Sequence, residues 1–287
     1  MINNIEDIDR TIKIKFIEPL EKSCKNSVKR LKTAQVKHIE SIRLITQAYR
    51  TIENSEKNLN KYNFVDSYTL LRASLEYIVM SYMIEVEEKT YNEFLILSNN
   101  DIKLERKYTV INTLLQKFGK RLNQISNDLF ADTTVKQREK IMIDLYDILC
   151  KYTHASIVVS TFNEIKGRNE KEIVRLIFSY NFYFIKLILL ECLKFLNNDN
   201  KEYIDEKIIG FSIFLSITKL VNLIQTNNIK FDKIEQFFYY DTINSEFYMY
   251  YKEGLEKIMK EISESIVEFN ENDNKINQVL DELMKSL

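Results

Sequence analysis

The stretch SYTLLRASLEYIVMSYMI, Ser67 to Ile84, holds no glycine or proline and only two charged side chains, Arg72 and Glu76. Extended outward to Asn63 and Val86, it sets Phe64, Tyr68, Leu71, Leu75, Ile78 and Tyr82 at alternating steps of four and three. That is the period of one helical face, since a half-buried strand would alternate every second residue. The spacing predicts one helix over 63–86. Arg72 and Glu76 stand four apart, so their side chains meet on one face. Their stripe, through Val65, Thr69, Val79 and Met83, runs beside the apolar one, so the pair is expected to be partly buried. Burial of an ion pair is costly unless further hydrogen bonds compensate it, so either a structural salt bridge or a functional site would account for these two residues.

The same helical signature extends along the chain. In 287 residues there are four glycines and one proline, a shortage of breakers that favours long helices joined by short polar loops. Apolar residues make up 45% and charged residues 29%, which suits a packed core and excludes a disordered chain. We therefore expect an all-α bundle of about eight to ten helices. After Pro19, the residues Cys24, Val28, Leu31, Gln35, His38, Ile42, Ile45, Tyr49 and Ile52 form a heptad seam that predicts one long helix over about 20–58. Within it His38 reads as a polar seam position that sets register or partner choice. Near the C-terminus Leu255, Met259, Ile262, Ile266, Phe269, Ile276, Leu280, Leu283 and Leu287 repeat the pattern, interrupted only at Asp273. These long terminal helices would pair within the chain, form a homodimer seam or recruit a protein partner.

Between them, 101–118 reads as a helix and Gly119 to Thr134 as a connection with partial helicity. Thr134 and Gln137 form a capping-box pattern that opens the next helix. That helix carries Ile141, Leu145, Ile148, Leu149 and Tyr152 and delivers His154, one of two histidines, near its end. Arg121, Lys136, Arg138 and Lys140 read as a solvated basic face. The aromatic segment Phe237 to Lys252 lacks interleaved basic residues and reads as core or oligomer packing. The chain divides into a long N-terminal helix (1–60), a helical core (61–226) and an aromatic segment with a C-terminal heptad helix (227–287), within one continuous unit.

Several function classes are weakened at this level. Forty-one basic residues nearly cancel forty-two acidic ones, so nucleic-acid binding would need a local patch. Cys24, Cys150 and Cys192 have no CxxC spacing and, with the polar, acidic start MINNIEDIDR, are expected to be free thiols of a cytoplasmic protein. No Gly-rich phosphate loop, HExxH or GxSxG occurs, and neither cofactor nor metal is expected. The apolar run 173–196, followed by 208–224, raises a membrane hairpin. Arg175, Asn181, Lys186, Glu191 and Lys194 interrupt the first segment, each charge near mid-bilayer costing roughly 2.5–3.5 kcal/mol, so two buried core helices are expected instead.

With Arg-x-x-x-Glu in LLRASLEYIVMSYMI and Tyr-x-His in YDILCKYTHAS, the chain over about 61–196 resembles the HEPN superfamily, especially its divergent bacterial members of uncharacterised or phage-defence type. The resemblance implies a helical bundle, often dimeric, in which polar residues from several helices meet in a cleft. Ribonucleases of that superfamily carry an arginine and the histidine on one helix. Here Cys150, Leu149, Ile148 and Asp147 occupy the matching places before His154. The resemblance therefore implies a protein of a bacterial defence or toxin–antitoxin system that acts by binding protein or RNA. The alternatives are a metal-independent ribonuclease with a cross-helix cleft of Arg72, Glu76 and His154, and a scaffold or small-molecule sensor. Tyr68, Lys151 and Tyr152 are the expected binding residues of that cleft.

Overall fold

The computed structural model of the chain describes residues 10, 13–97, 104–125, 130, 133–151, 153, 168–198, 249 and 253. These residues form an all-α structure of seven α-helices with no strand among them. In chain order the helices are α1 (Glu18–Arg30), α2 (Ile39–Asn60), α3 (Phe64–Val86), α4 (Glu88–Leu97), α5 (Leu104–Ile125), α6 (Val135–Lys151) and α7 (Arg168–Asn197). A π-helical turn, Lys13–Ile17, leads into α1, where Pro19 sits in the first turn, the place where its missing N–H costs nothing.

Helix α7 is the centre. Every residue from Phe184 to Leu193 is buried, so no face of this segment meets water, the condition of a helix enclosed by others. It packs against α1, α2, α3 and α5. No helix among the described residues is long and apolar enough to cross a membrane. The polar interruptions of the apolar run have partners instead. Arg175 Nε contacts Glu172 at 2.8 Å, Asn181 Nδ2 donates to the Tyr68 hydroxyl at 3.0 Å, and Lys194 Nζ pairs with Glu191 at 2.8 Å. Lys186 Nζ reaches Glu21 of α1 at 2.8 Å and Glu56 of α2 at 3.3 Å. The second apolar run, 208–224, the aromatic segment and the C-terminal heptad helix lie outside the described residues.

Helices α2 and α3 form an antiparallel hairpin whose contact line is lined by small residues. Ser81 Oγ donates to the Ser41 carbonyl at 2.8 Å, and Ser55 Oγ donates to the Ser67 carbonyl at 2.8 Å. In the register these two bonds set, Ala48 falls opposite Ser74, and both are fully buried. Small side chains at seven-residue intervals on both helices bring the backbones together, because interaxial distance follows the residues at the crossing. Tyr62 closes the hairpin at φ 61°, a left-handed conformation rarely taken by a bulky residue. At the other end Glu85 of α3, only 7% exposed, caps the start of α2. Its carboxylate accepts from the backbone amides of Lys37 and His38, both at 2.9 Å, and from Ser41 Oγ at 2.5 Å. A buried anion at this point satisfies exposed amides and complements the positive end of the α2 dipole.

This cap explains where one expectation fails. The single helix over 20–58 is two helices, α1 and α2, separated by the 3-10 turn Leu31–Thr33 and an extended segment through His38. Cys24, Leu31, Ile45 and Ile52 are buried on both sides of the break, so the periodicity continues through it and hides it. The break lets α1 lie on α7 while α2 lies on α3. His38 is consequently the N-cap residue of α2, with φ −124° and ψ 119°, and not a position on a heptad seam. A shared core runs from Leu20 to Leu196.

Helix α5 continues through Gly119 to Ile125, beyond the expected end at residue 118. A Cβ on Gly119 would lie 2.8 Å from Glu139 Cα and 2.9 Å from the Arg138 carbonyl oxygen, so glycine permits α5 and α6 to touch backbone to backbone. The capping box is present. The Thr134 amide donates to Gln137 Oε1 at 2.9 Å, and the Gln137 amide donates to Thr134 Oγ1 at 3.2 Å. Arg138 departs from the expected solvated face. It is buried, and its Nη1 donates to the Thr133 carbonyl at 2.5 Å, because the approach of α5 covers this side of α6. Lys136 and Lys140 are exposed as expected.

Replacing Glu85 with alanine leaves two amides and a hydroxyl without their acceptor. It is expected to lower stability by about 2–4 kcal/mol, measured by urea unfolding. Gly119→Ala adds about 1 kcal/mol of helix propensity but forces two backbones apart at a cost of about 1–3 kcal/mol. Net destabilisation in the same assay is the expected outcome.

Candidate functional site

The sequence singles out Arg72 and Glu76, and the fold brings α6 against them. Both sit on α3, which packs on α6, and Arg72 Nε lies 3.6 Å from Glu76 Oε1. The side chains are 21% and 28% exposed, so the pair is half-sunk in the protein, as the apolar stripe beside it implies. An isolated pair so exposed contributes little to stability, but this pair is extended at both ends. Tyr146 of α6 donates its hydroxyl to Glu76 Oε1 at 2.8 Å, and Arg72 Nη1 donates to Thr153 Oγ1 at 2.9 Å. Thr153 is itself held to the end of α6, since its amide and its hydroxyl both donate to the Cys150 carbonyl at 3.1 Å. The resulting chain, Tyr146–Glu76–Arg72–Thr153, fastens α3 to the C-terminal turn of α6.

The titration behaviour follows from burial and neighbours. The Tyr146 phenol is pushed well above its usual range, first by burial and then by the Glu76 carboxylate that its neutral O–H bonds. Cys150, one turn before Thr153, is half-buried, and burial raises its thiol above the ordinary value even though the nearby Arg72 guanidinium pulls the other way. Neither group is primed as an anionic nucleophile near neutral pH. The arrangement offers instead an arginine held in place by a carboxylate and a hydroxyl, its side chain 21% exposed and its Nε buried. Guanidinium groups in that state bind phosphate or carboxylate oxygens.

The expected site residues are distributed as follows. Arg72 and Glu76 come together, and Lys151 stands exposed as the last residue of α6. His154 and Tyr152 lie outside the described residues. Tyr68 is buried: it is 1% exposed, its hydroxyl accepts from Asn181 of α7, and its ring packs on Phe178. Its step on the apolar stripe of α3 points it into the core. Nothing in the sequence marks Tyr146 as a member of this cluster, although it lies one turn before Cys150 on the same face of the helix. A tyrosine on an amphipathic helix carries no sign of the carboxylate it will meet. His38 belongs to another region, stacked on Tyr91 with ring centroids 3.9 Å apart and Nε2 3.4 Å from Glu88.

Among the described residues no group of three or more His, Cys, Asp or Glu is gathered so as to hold a metal ion. Comparison with protein-family models, with curated proteins and with solved structures finds no match.

The thiols report on this environment. In the native protein at about pH 8, Cys150 should react with iodoacetamide more slowly than a free thiol, whose pKa is about 8.5. The buried Cys24 and Cys192 should be labelled only on unfolding, with mass spectrometry following each site. Rapid alkylation of Cys150 in the folded protein would reverse the assignment of a neutral thiol.

Proposed function

We propose that this chain is a HEPN-like helical protein of a bacterial defence or toxin–antitoxin system, and that it acts by binding RNA or a protein partner rather than by catalysis. The observation that carries this reading is the Arg72–Thr153 hydrogen bond, which holds an arginine with a 21% exposed side chain against the residue that precedes His154 in the sequence. Arginine offers several N–H donors in a fixed plane, which suits a phosphodiester or a partner carboxylate. Exposed Lys151 adds a second cation at the same helix end. Support for binding over chemistry comes from the neighbours: Glu76 already accepts from Tyr146 and faces Arg72, and both Tyr146 and Cys150 favour their neutral forms.

A second reading, metal-independent RNA cleavage, is favoured by one feature, the adjacency of Thr153 to His154 in the chain. In that reading His154 would relay the proton of the attacking 2′-hydroxyl, and Arg72 would stabilise charge on the phosphorus oxygens. The two are separated by Arg72→Ala and His154→Ala. Binding predicts an RNA gel shift, or a partner complex, that weakens in Arg72→Ala, with intact RNA in every lane. Stability should change by no more than about 1–2 kcal/mol. Cleavage by the wild type that disappears in both variants, at unchanged melting temperature, would defeat the binding-only reading.

A further inference from the structure

Away from the Arg72 cluster, a cavity of about 650 Å³ opens among the Lys13–Ile17 turn, α1, α2 and α7, within the size range of small-molecule sites. Its charges are layered by depth. The deepest is Lys186, whose side chain is 2% exposed, flanked by Glu21 and Glu56 and lying over the Phe182 ring at 4.8 Å. Arg175, also on the wall, is matched by Glu172. The triad itself sets two carboxylates against one ammonium, Glu56 with its side chain 27% exposed and Glu21, nearer the mouth, 41% exposed. Half-buried Tyr49 and Tyr183 line the same walls and supply aromatic surface. The outer layer has the opposite sign. Lys13, Lys22, Lys25 and Lys57 stand exposed around it, against Glu18 and Glu53.

We propose that this cavity is a binding site for a small zwitterion, an organic ammonium group seated deep against Glu56 and Tyr49 with its carboxylate or phosphate directed outward to Lys22 and Lys25. A free metal cation suits the floor poorly, because no group of three or more metal-ligating side chains converges among the described residues. A linear polyamine suits the interior but is repelled by the lysine rim. A dianion suits the rim but meets the surplus carboxylate below. Only a ligand with both signs, ordered along its length, matches both layers. The behaviour of the two acids agrees with an unmet demand for positive charge. Burial holds the Glu56 carboxyl above its usual value, Lys186 only partly opposing it and Glu21 adding to it. Burial disfavours ionised Glu21 as well, but the Lys186 ammonium, a hydrogen bond with Glu56 and the charge of Lys13 together leave that group lowered. Glu21 is thus the better compensated acid of the two and Glu56 the less compensated one.

The test is titration calorimetry on the full chain with four probes: γ-aminobutyrate, phosphoethanolamine, putrescine and succinate. The first two carry both charges and differ in the anion, so their relative affinities identify carboxylate or phosphate as the outer group. The other two carry one sign only. Saturable binding of at least one zwitterion is expected, with putrescine and succinate about tenfold weaker or worse. The double variant Lys22→Gln/Lys25→Gln alters only exposed side chains, and its melting curve checks the fold. It should weaken the zwitterion about tenfold, and Glu56→Gln should do so from the ammonium side. The proposal is overturned if neither zwitterion gives a saturable signal, if putrescine or succinate binds as tightly as they do, or if the double variant binds unchanged. The double variant leaves the buried triad intact, so it decides the question even where Glu56→Gln does not fold.

Discussion

The close antiparallel contact of α2 and α3 is the constraint on which the other helices depend. Serine and alanine along the contact line remove the bulk that would hold the helices apart, and Ser–carbonyl bonds at both ends pin the sliding register. A shift by one residue would rotate large side chains into the line and take the hydroxyls away from their acceptors. With the register held, the Glu85 carboxylate arrives at the start of α2, and the outward faces of the hairpin become the platform on which α7, α5 and α6 assemble. Hydrophobic burial supplies most of the driving force, but it is non-directional. The small-residue line and the carboxylate cap are what convert it into one arrangement.

The same division of labour governs α7. Its leucines, isoleucines and phenylalanines make it a core helix, and its polar residues decide what surrounds it. Lys186 ties it to α1 and α2 together, and Asn181 ties it to Tyr68 of α3. Groups of this kind are poor sources of net stability, because desolvation offsets most of the attraction. Their effect is to make alternative packings costly, since any other arrangement would leave a charge or an amide buried without its partner. The Lys186 triad is also where the protein keeps water-reaching space next to buried charge, which is why the cavity and the triad coincide.

At the Arg72 cluster a local pair has acquired remote partners. The ion pair of α3 would form on an isolated helix; Tyr146 and Thr153 join it only because α6 lies alongside. Contact with the last turn of α6 holds the guanidinium in one direction, and a cation held in one direction is suited to recognising an oxyanion. The neighbouring thiol and phenol are kept neutral chiefly by burial.

Features encoded within one or two helical turns are legible from residues alone. The helix over 63–86, the Thr134–Gln137 capping box and the half-buried Arg72–Glu76 pair follow from spacings of three and four, and the core character of 173–196 from an apolar run interrupted by charges. The Ser67, Ser74 and Ser81 repeat is also readable, but a seven-residue interval of small polar residues carries no sign of a partner until the matching interval at Ser41, Ala48 and Ser55 is set against it. The break between α1 and α2 is hidden because the buried pattern continues through it, while the Glu85 carboxylate that stabilises the break lies more than forty positions away. Arg138 departs from its expected solvated face for the same reason: composition marks it as polar, and only the helix that comes to cover it decides whether it faces water or a carbonyl. Local periodicity is a property of the chain. Which polar groups meet is a property of the packing.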